Sequence, residues 1–221
     1  MVSLDLNKLA LLWSAADEIP ELGGGGRTIA PALVLAAGNV PRGESIVDVG
    51  PWLGSTTAFL AMGSILGSAD VPIYSYDRWV VDSDMVMNSW RQTRVALTVG
   101  QSLFPYWAEN VSVFPTEINP VKGNVRAIED DMLPKEPIGL LVDDCTSGRV
   151  RLDALFEKFG KLLAPGARII MLDYYFSETK EHDRFTETVK WFAERERTFG
   201  TPKRISGARN VAAAFTYRGK V

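Results

Sequence analysis

Two reactive residue types are nearly missing from this 221-residue chain, which has one cysteine, Cys145, and one histidine, His182. A single cysteine excludes an internal disulfide and any metal cage built from several thiolates. Cys145 follows Asp143 and Asp144, whose charge disfavours a thiolate, and no histidine stands near it in sequence. A lone histidine, with no Gly-x-Ser-x-Gly elbow, leaves a Ser/His/Asp hydrolase without its parts. Long apolar runs and the pattern of a secretory leader are also absent: Met1–Leu12 interrupts Leu4, Leu9 and Leu12 with Asp5 and Lys8. Charge of one sign is not in excess either. The formal net charge of −3 gives no bulk attraction to nucleic acid or to an anionic membrane. The expectation is a soluble cytoplasmic protein whose partners are neither nucleic acid nor membrane.

The chain is organised around Ser45–Asp77. Ser45–Leu60 has the pattern of a buried strand, a glycine turn and a helix, and Val71–Tyr76 is a second strand that ends at Asp77. Gly50 and Gly54 permit a sharp turn and close approach of a ligand to backbone amides, and Ser55 can cap the helix. A carboxylate at the next strand tip can accept hydrogen bonds from both hydroxyls of a ribose. The glycine spacing is Gly-x-x-x-Gly, not Gly-x-Gly-x-x-Gly, and no Gly-Lys-Ser/Thr follows, so a cradle for pyrophosphate is lacking. These features predict a nucleoside ligand without a pyrophosphate.

Around this unit the chain alternates between strands and helices. Leu4–Ala16 has helical spacing, and the four glycines of Glu21–Arg27 form either a linker or the hinge of a lid ahead of apolar Ile29–Ala37. Arg78–Gly123 is the least regular part, with helices predicted at Asp84–Ala96 and at Ser102–Asn110, the latter interrupted at Pro105; a long connection of this kind suits a substrate cap. A third strand is expected at Asn124–Ile128 and a fourth at Ile138–Val142. A helix follows over Arg149–Leu163, stopped by Pro165-Gly166, then a fifth strand at Arg168–Leu172 and a charged helix at Glu178–Arg197. Arg204–Ile205 and Val211–Tyr217 complete a mostly parallel sheet with an antiparallel last strand. Acids collect at the predicted strand tips: Asp48, Asp77, Glu129-Asp130-Asp131, Asp143-Asp144 and Asp173. In an open α/β sheet these tips face the ligand crevice.

Ile46-Val-Asp-Val-Gly50, Gly54-Ser-Thr and Tyr76-Asp77 together resemble the S-adenosylmethionine site of class I methyltransferases. Val142-Asp143-Asp144 and Leu172-Asp173-Tyr174, set around Arg149–Leu163 and Pro165-Gly166, resemble the sugar- and glycan-associated members, including the macrocin O-methyltransferase group. The resemblance implies a Rossmann-like α/β fold with a mostly parallel seven-stranded sheet and helices on both faces. The methyltransferase domain would cover residues 40–221, with a helical segment at 1–39 and a cap insertion at 78–123. Asp77 with Arg78 would hold the ribose and Glu129 or Asp130 would lie near the adenine. Gly50, Pro51, Gly54 and Ser55 would surround the methionine part, and Asp143 is a further cofactor-binding candidate. Asp48 would either order the turn or reach the methionine amine. Relatives of this kind use acids at the positions of Asp143 and Asp173 to hold a divalent cation, which implies magnesium; alternatively, the pair orients a substrate hydroxyl. Tyr174 departs from the asparagine found there in the catechol enzymes. His182 is the candidate general base, against its reading as part of a solvated helix face. The acceptor implied is a sugar, glycoside or related small molecule. A phenol or amine acceptor, a catalytically silent nucleoside-binding module and self-association into a homo-oligomer stay open.

Overall fold

The computed structural model describes residues 6–20, 25–67, 71–83, 85–86, 97–178, 183–205 and 212–219. Seven strands form one sheet: β1 (Ser45–Val49), β2 (Ile73–Asp77), β3 (Ile118–Lys122), β4 (Ile138–Asp143), β5 (Leu163–Met171), β6 (Lys203–Arg204) and β7 (Ala213–Thr216), in the order β3-β2-β1-β4-β5-β7-β6. The first five are mutually parallel, and β7 runs antiparallel to both β5 and β6. Every residue of β1 and β4 is buried, as central parallel strands covered on both faces require.

Helices cover both faces. Helices α1 (Leu6–Glu18), α2 (Gly25–Thr28), α3 (Ala30–Gly38), α4 (Ser55–Gly67) and α5 (Phe104–Val111) lie on one side, where Leu33, Phe59 and Trp107 pack with Ile46, Ile73, Leu140 and Val142. On the other, α6 (Arg149–Phe159), α7 (Asp183–Ala193) and α8 (Glu196–Phe199) bring Leu152, Phe159 and Phe192 onto Val47, Leu141 and Ile169. The alternation of sides along β1 and β4 follows the two-residue period of a strand. Among the described residues no helix is long and apolar enough to cross a membrane.

The N-terminal helices belong to the first layer. The Trp13 ring lies 5.6 Å from Phe59 on α4, and a Cβ on Gly63 would overlap the Val34 carbonyl oxygen, so α3 and α4 are in backbone contact. Arg27, at the end of the glycine run, donates to the Asp17 and Ile19 carbonyl oxygens and so ties α2 to the end of α1.

Four expectations are corrected. The third strand is Ile118–Lys122, not Asn124–Ile128, where Asn124 Oδ1 instead accepts from the Arg126 amide and caps a 3-10 turn. Pro105 sits in the first turn of α5 and does not interrupt it, since a proline there lacks only an amide that would have no helical partner. Pro165-Gly166 lies inside β5, where Gly166 adopts φ +88 and the β4–β5 register shifts between Ile138 and Leu140. The charged helix expected at Glu178–Arg197 is divided, with α7 ending at Ala193 and α8 beginning at Glu196; residues 179–182 lie outside the described residues. Most of the predicted helix at Asp84–Ala96 lies outside the described residues.

Candidate active site

The turn between β1 and α4 is held from both sides. Gly50, at φ +78, donates its amide to the Tyr76 carbonyl at 2.9 Å, and a Cβ added there would stand 2.6 Å from the Cys145 Cβ. Only glycine allows the β1 tip to lie this close to the loop after β4. Gly54, at φ +100, is glycine for another reason: a Cβ there would meet Val111 Cγ1 at 2.8 Å and Trp107 Cδ1 at 3.2 Å. It makes room for α5, and neither it nor Pro51 nor Ser55 lines the cavity described below.

Asp77, at the β2 tip, braces the turn. Its Oδ1 accepts from the Trp79 amide at 2.7 Å and its Oδ2 from the Trp52 amide at 3.2 Å, while Trp79 Nε1 donates to the Trp52 carbonyl at 3.2 Å. Trp52 and Trp79 have φ of +50 and +47, a region uncommon for bulky residues and costing on the order of 1–3 kcal/mol each. One carboxylate thus holds two strained backbones in register. Burial raises the Asp77 pKa and the two tryptophan amides oppose the shift. A carboxylate oxygen has a second lone-pair site, so hydroxyl donors can still be accepted.

Asp48 is fully buried beneath α4. Its Oδ2 accepts from Thr56 Oγ1 at 3.0 Å and Thr57 Oγ1 at 2.7 Å, whereas Oδ1 has no hydrogen-bond partner among the described residues. Burial pushes its pKa up to about 7 against the pull of the two threonines. It lies outside the cavity lining and joins β1 to the first turn of α4.

A cavity of about 350 Å³ opens across the carboxyl ends of β1, β2, β3 and β4, a size within the range of small-molecule sites. Gly50, Asp77, Cys145 and Thr146 line it together with Arg78, Asn124, Arg126 and Arg151, the last four at exposed positions. Gly123 donates its amide to the Asp77 carbonyl at 2.9 Å and draws the β3 tip onto β2. Asn124, Arg126, Thr146 and Arg151 are additions that sequence reading missed. The first two fell inside a misplaced strand; Arg151 could have been found, since it lies in the first turn of the helix that follows the β4 tip. Glu129 and Asp130 are exposed and do not line the cavity, and Asp130 Oδ1 stands 3.7 Å from Lys158 Nζ. Cys145 is exposed as a residue, but its sulfur is crowded by protein; that desolvation, reinforced by the Asp143 charge, pushes the thiol well up.

Asp143 and Asp173 come together at a separate narrow crevice of about 10 Å³, room for one water, shared with Tyr174 and Thr188. Asp143 is buried, and the Thr146 amide donates to its two oxygens at 3.1 and 3.2 Å. Burial lifts its pKa to about 7, and the Asp173 charge adds to the effect. Tyr174 turns away into an aromatic cluster, 5.2 Å from the Phe215 ring and 5.8 Å from Phe192. Thr188 Oγ1 accepts from the Gly148 amide at 2.9 Å and anchors the loop after β4 to α7. Magnesium prefers an octahedral set of oxygens, and among the described residues no three His, Cys, Asp or Glu side chains converge. Asp143 is already engaged by the Thr146 amide, and Tyr174 stands buried beside Asp173, so the described residues do not supply a ligand set for the expected cation. His182 lies outside the described residues.

No protein-family model matches this chain, and no curated protein does. Among solved structures, the O-methyltransferase NovP matches with a TM-score of 0.63 at 11% identity, over 96% of this chain and 97% of its own. The chain has the class I methyltransferase fold. The O-methyltransferase from Bacillus cereus, solved in complex with S-adenosylhomocysteine (SAH), matches with a TM-score of 0.53 at 15% identity, over 98% of this chain and 93% of its own. An rRNA methylase from Streptococcus thermophilus matches with a TM-score of 0.54 at 15% identity, over 86% of this chain and 97% of its own. At these identities the likeness to this methyltransferase fold is one of architecture.

Proposed function

We propose that the chain is an S-adenosylmethionine-dependent methyltransferase that acts on an oxygen of a small-molecule acceptor, with a sugar or glycoside hydroxyl as the favoured class. The observation that carries this reading is the cavity between Gly50 and Asp77: a strand-end carboxylate for ribose hydroxyls beside a glycine turn with no pyrophosphate cradle, in a methyltransferase fold. When bound, the cofactor supplies an electrophilic methyl group on a sulfonium.

The side chains then have separable tasks. Asp77, fixed by the amides of Trp52 and Trp79, accepts the ribose hydroxyls, and Arg78 borders them. Gly50 lets the β1 tip lie against the loop after β4 and so shapes the wall offered to the methionine part, and Asp48 fixes the turn from below. Catalysis of in-line transfer is largely alignment. The bound cofactor would supply the methyl group to the acceptor oxygen and leave as the neutral thioether, and the chain's own part would be to take the acceptor proton on a carboxylate. The crevice that Asp143 shares with Asp173 is lined, like the cavity, by Cys145 and Thr146, and Asp143, raised to about 7 by burial, is our candidate for that proton. His182 is the rival proton acceptor. Asp143→Asn and His182→Ala distinguish them: the true base variant loses turnover while SAH affinity holds.

Calorimetric titration with S-adenosylmethionine, SAH and nicotinamide cofactors tests the core of the reading. Selective binding of the first two, followed by methyl transfer to sugars or glycosides, is the expected result. Transfer to phenols or amines alone would move the acceptor class, and binding without any transfer would indicate a silent binding module. Absence of binding to either adenosyl compound overturns the proposal.

A further inference from the structure

The cavity holds more positive charge than the proposed cofactor calls for. Three arginines from three segments line it: Arg78 after the β2 tip, Arg126 in the 3-10 turn after β3, and Arg151 in the first turn of α6. They face two carboxylates, Asp77 and Asp82. Arg78 is occupied by Asp82, at 3.0 Å. Arg126 and Arg151 have no carboxylate within ion-pair distance among the described residues. The contrast on α6 is direct: Arg149, two residues before Arg151, pairs with Glu194 at 2.5 Å. Acids outnumber bases in the chain, 27 to 24, so an unpaired couple at a cavity mouth is not forced by composition. The base beneath the two arginines is firm, because α6 packs on the 3-10 turn that carries Arg126.

S-adenosylmethionine bears a sulfonium and an ammonium against one carboxylate, a net positive ligand. Among the described residues a guanidinium pair at its site therefore has no carboxylate bound to it, and a second ligand can bring one. The planar fork of arginine matches the oxygens of a phosphate or a carboxylate through two parallel hydrogen bonds. We infer that the acceptor is an anionic small molecule, carrying a phosphate or carboxylate group that docks on Arg126 and Arg151 at the cavity mouth while its hydroxyl reaches the methyl donor. This rests on the methyltransferase reading and narrows it: among sugars, a sugar phosphate or a uronic acid would be taken in preference to a neutral glycoside. Arg78, held by Asp82, would border the anion without carrying it.

The test uses the full chain and two probes, inorganic pyrophosphate and citrate, titrated calorimetrically at constant ionic strength into protein saturated with SAH. The expected result is binding of at least one probe to the wild type, weakened about tenfold or more in Arg126→Ala/Arg151→Ala, beyond any change in SAH affinity. Arg126→Lys/Arg151→Lys, which keeps charge but not the fork, should retain part of the affinity. The tighter probe names the anionic group. The inference is overturned if neither probe binds SAH-loaded protein, if the alanine variant binds equally well, or if the probes displace SAH, which would assign the arginines to the cofactor. A single-stranded RNA oligonucleotide that binds far more tightly than pyrophosphate, and loses this in the alanine variant, would overturn the small-molecule assignment in favour of a nucleic acid. Failure of SAH itself to bind the wild type would strike the methyltransferase reading instead, and is seen in the first titration.

Discussion

The floor of the cavity and its rim are built on opposite plans. At the β1 and β2 tips, the Asp77 oxygens are taken by the Trp52 and Trp79 amides, and the Gly50 amide by the Tyr76 carbonyl. At the rim, Arg126 and Arg151 extend from exposed positions with no carboxylate partner among the described residues. The floor is fixed before any ligand arrives, so little ordering remains to oppose binding there; the rim is left for a ligand to order. Affinity for an invariant ligand suits the first plan, and discrimination among variable ones suits the second.

The sharpest way to break this contrast is Gly50→Ala. With φ at +78 and the Cys145 Cβ 2.6 Å from the added atom, the floor cannot close, and a loss of more than about 2 kcal/mol in stability together with loss of SAH binding is expected. Denaturant unfolding and calorimetry read both; a folded variant of unchanged affinity would show the floor to be pliable.

Next in size is Asp77→Ala, expected to weaken SAH binding by ~1–3 kcal/mol through lost charge-assisted hydrogen bonds. Because the same carboxylate holds Trp52 and Trp79, hydrogen exchange at these two amides should also accelerate. Weaker binding with unchanged exchange would separate ligand contact from bracing.

A pH effect probes the floor from below. Asp48 has its pKa raised to about 7 by burial, so the folded protein keeps that proton over a range where the unfolded chain has released it. Stability from this group is therefore greatest below the ordinary carboxylate range and falls as pH rises towards 7. Asp48→Asn removes the dependence: relative to the wild type it should gain on the order of 1–2 kcal/mol between pH 5 and pH 8. Equal slopes of unfolding free energy against pH in the two proteins would contradict the assignment. The smallest effect belongs outside both regions. Glu129→Gln and Asp130→Asn, at exposed positions off the cavity lining, should leave stability within about 0.5 kcal/mol and SAH affinity unaltered. A clear loss of affinity would extend the rim to this turn.

The parts of the fold legible in the sequence were those where local signal and burial coincide. β1 and β4 are largely apolar and buried along their whole length, and the Gly50 turn and Asp77 line the candidate cavity. β3 was missed because it is the sheet edge: Ile-Asn-Pro-Val-Lys is half exposed and carries Pro120, which an edge strand tolerates. The neighbouring Asn124–Ile128 has β-forming residues, but its asparagine cap curls it into a turn. Pro165-Gly166 has the composition of a helix stop, yet here it makes an irregularity that β5 passes through. At the site, Asp143 and Asp173 do meet, as their strand-tip positions suggested, whereas Glu129 and Asp130 lie off the cavity once the strand before them moves. Arg151 was legible from its place in the first turn after the β4 tip, whereas Arg126 could not be told from a solvated charge without knowing that α6 packs on the 3-10 turn.

Trp79, whose backbone amide is bound to Asp77, also gives the protein an optical signature. Trp79 donates through its ring nitrogen to Trp52, and its ring lies 4.8 Å from that of Trp107 with the planes inclined by 49°. Two chromophores this close and mutually tilted couple their transitions, and near-ultraviolet circular dichroism senses fixed packing of this kind. The floor of the cavity can therefore be watched in solution without a label: a ligand that disturbs Asp77 should change the spectrum, while one held only at the arginine rim should leave it as it is.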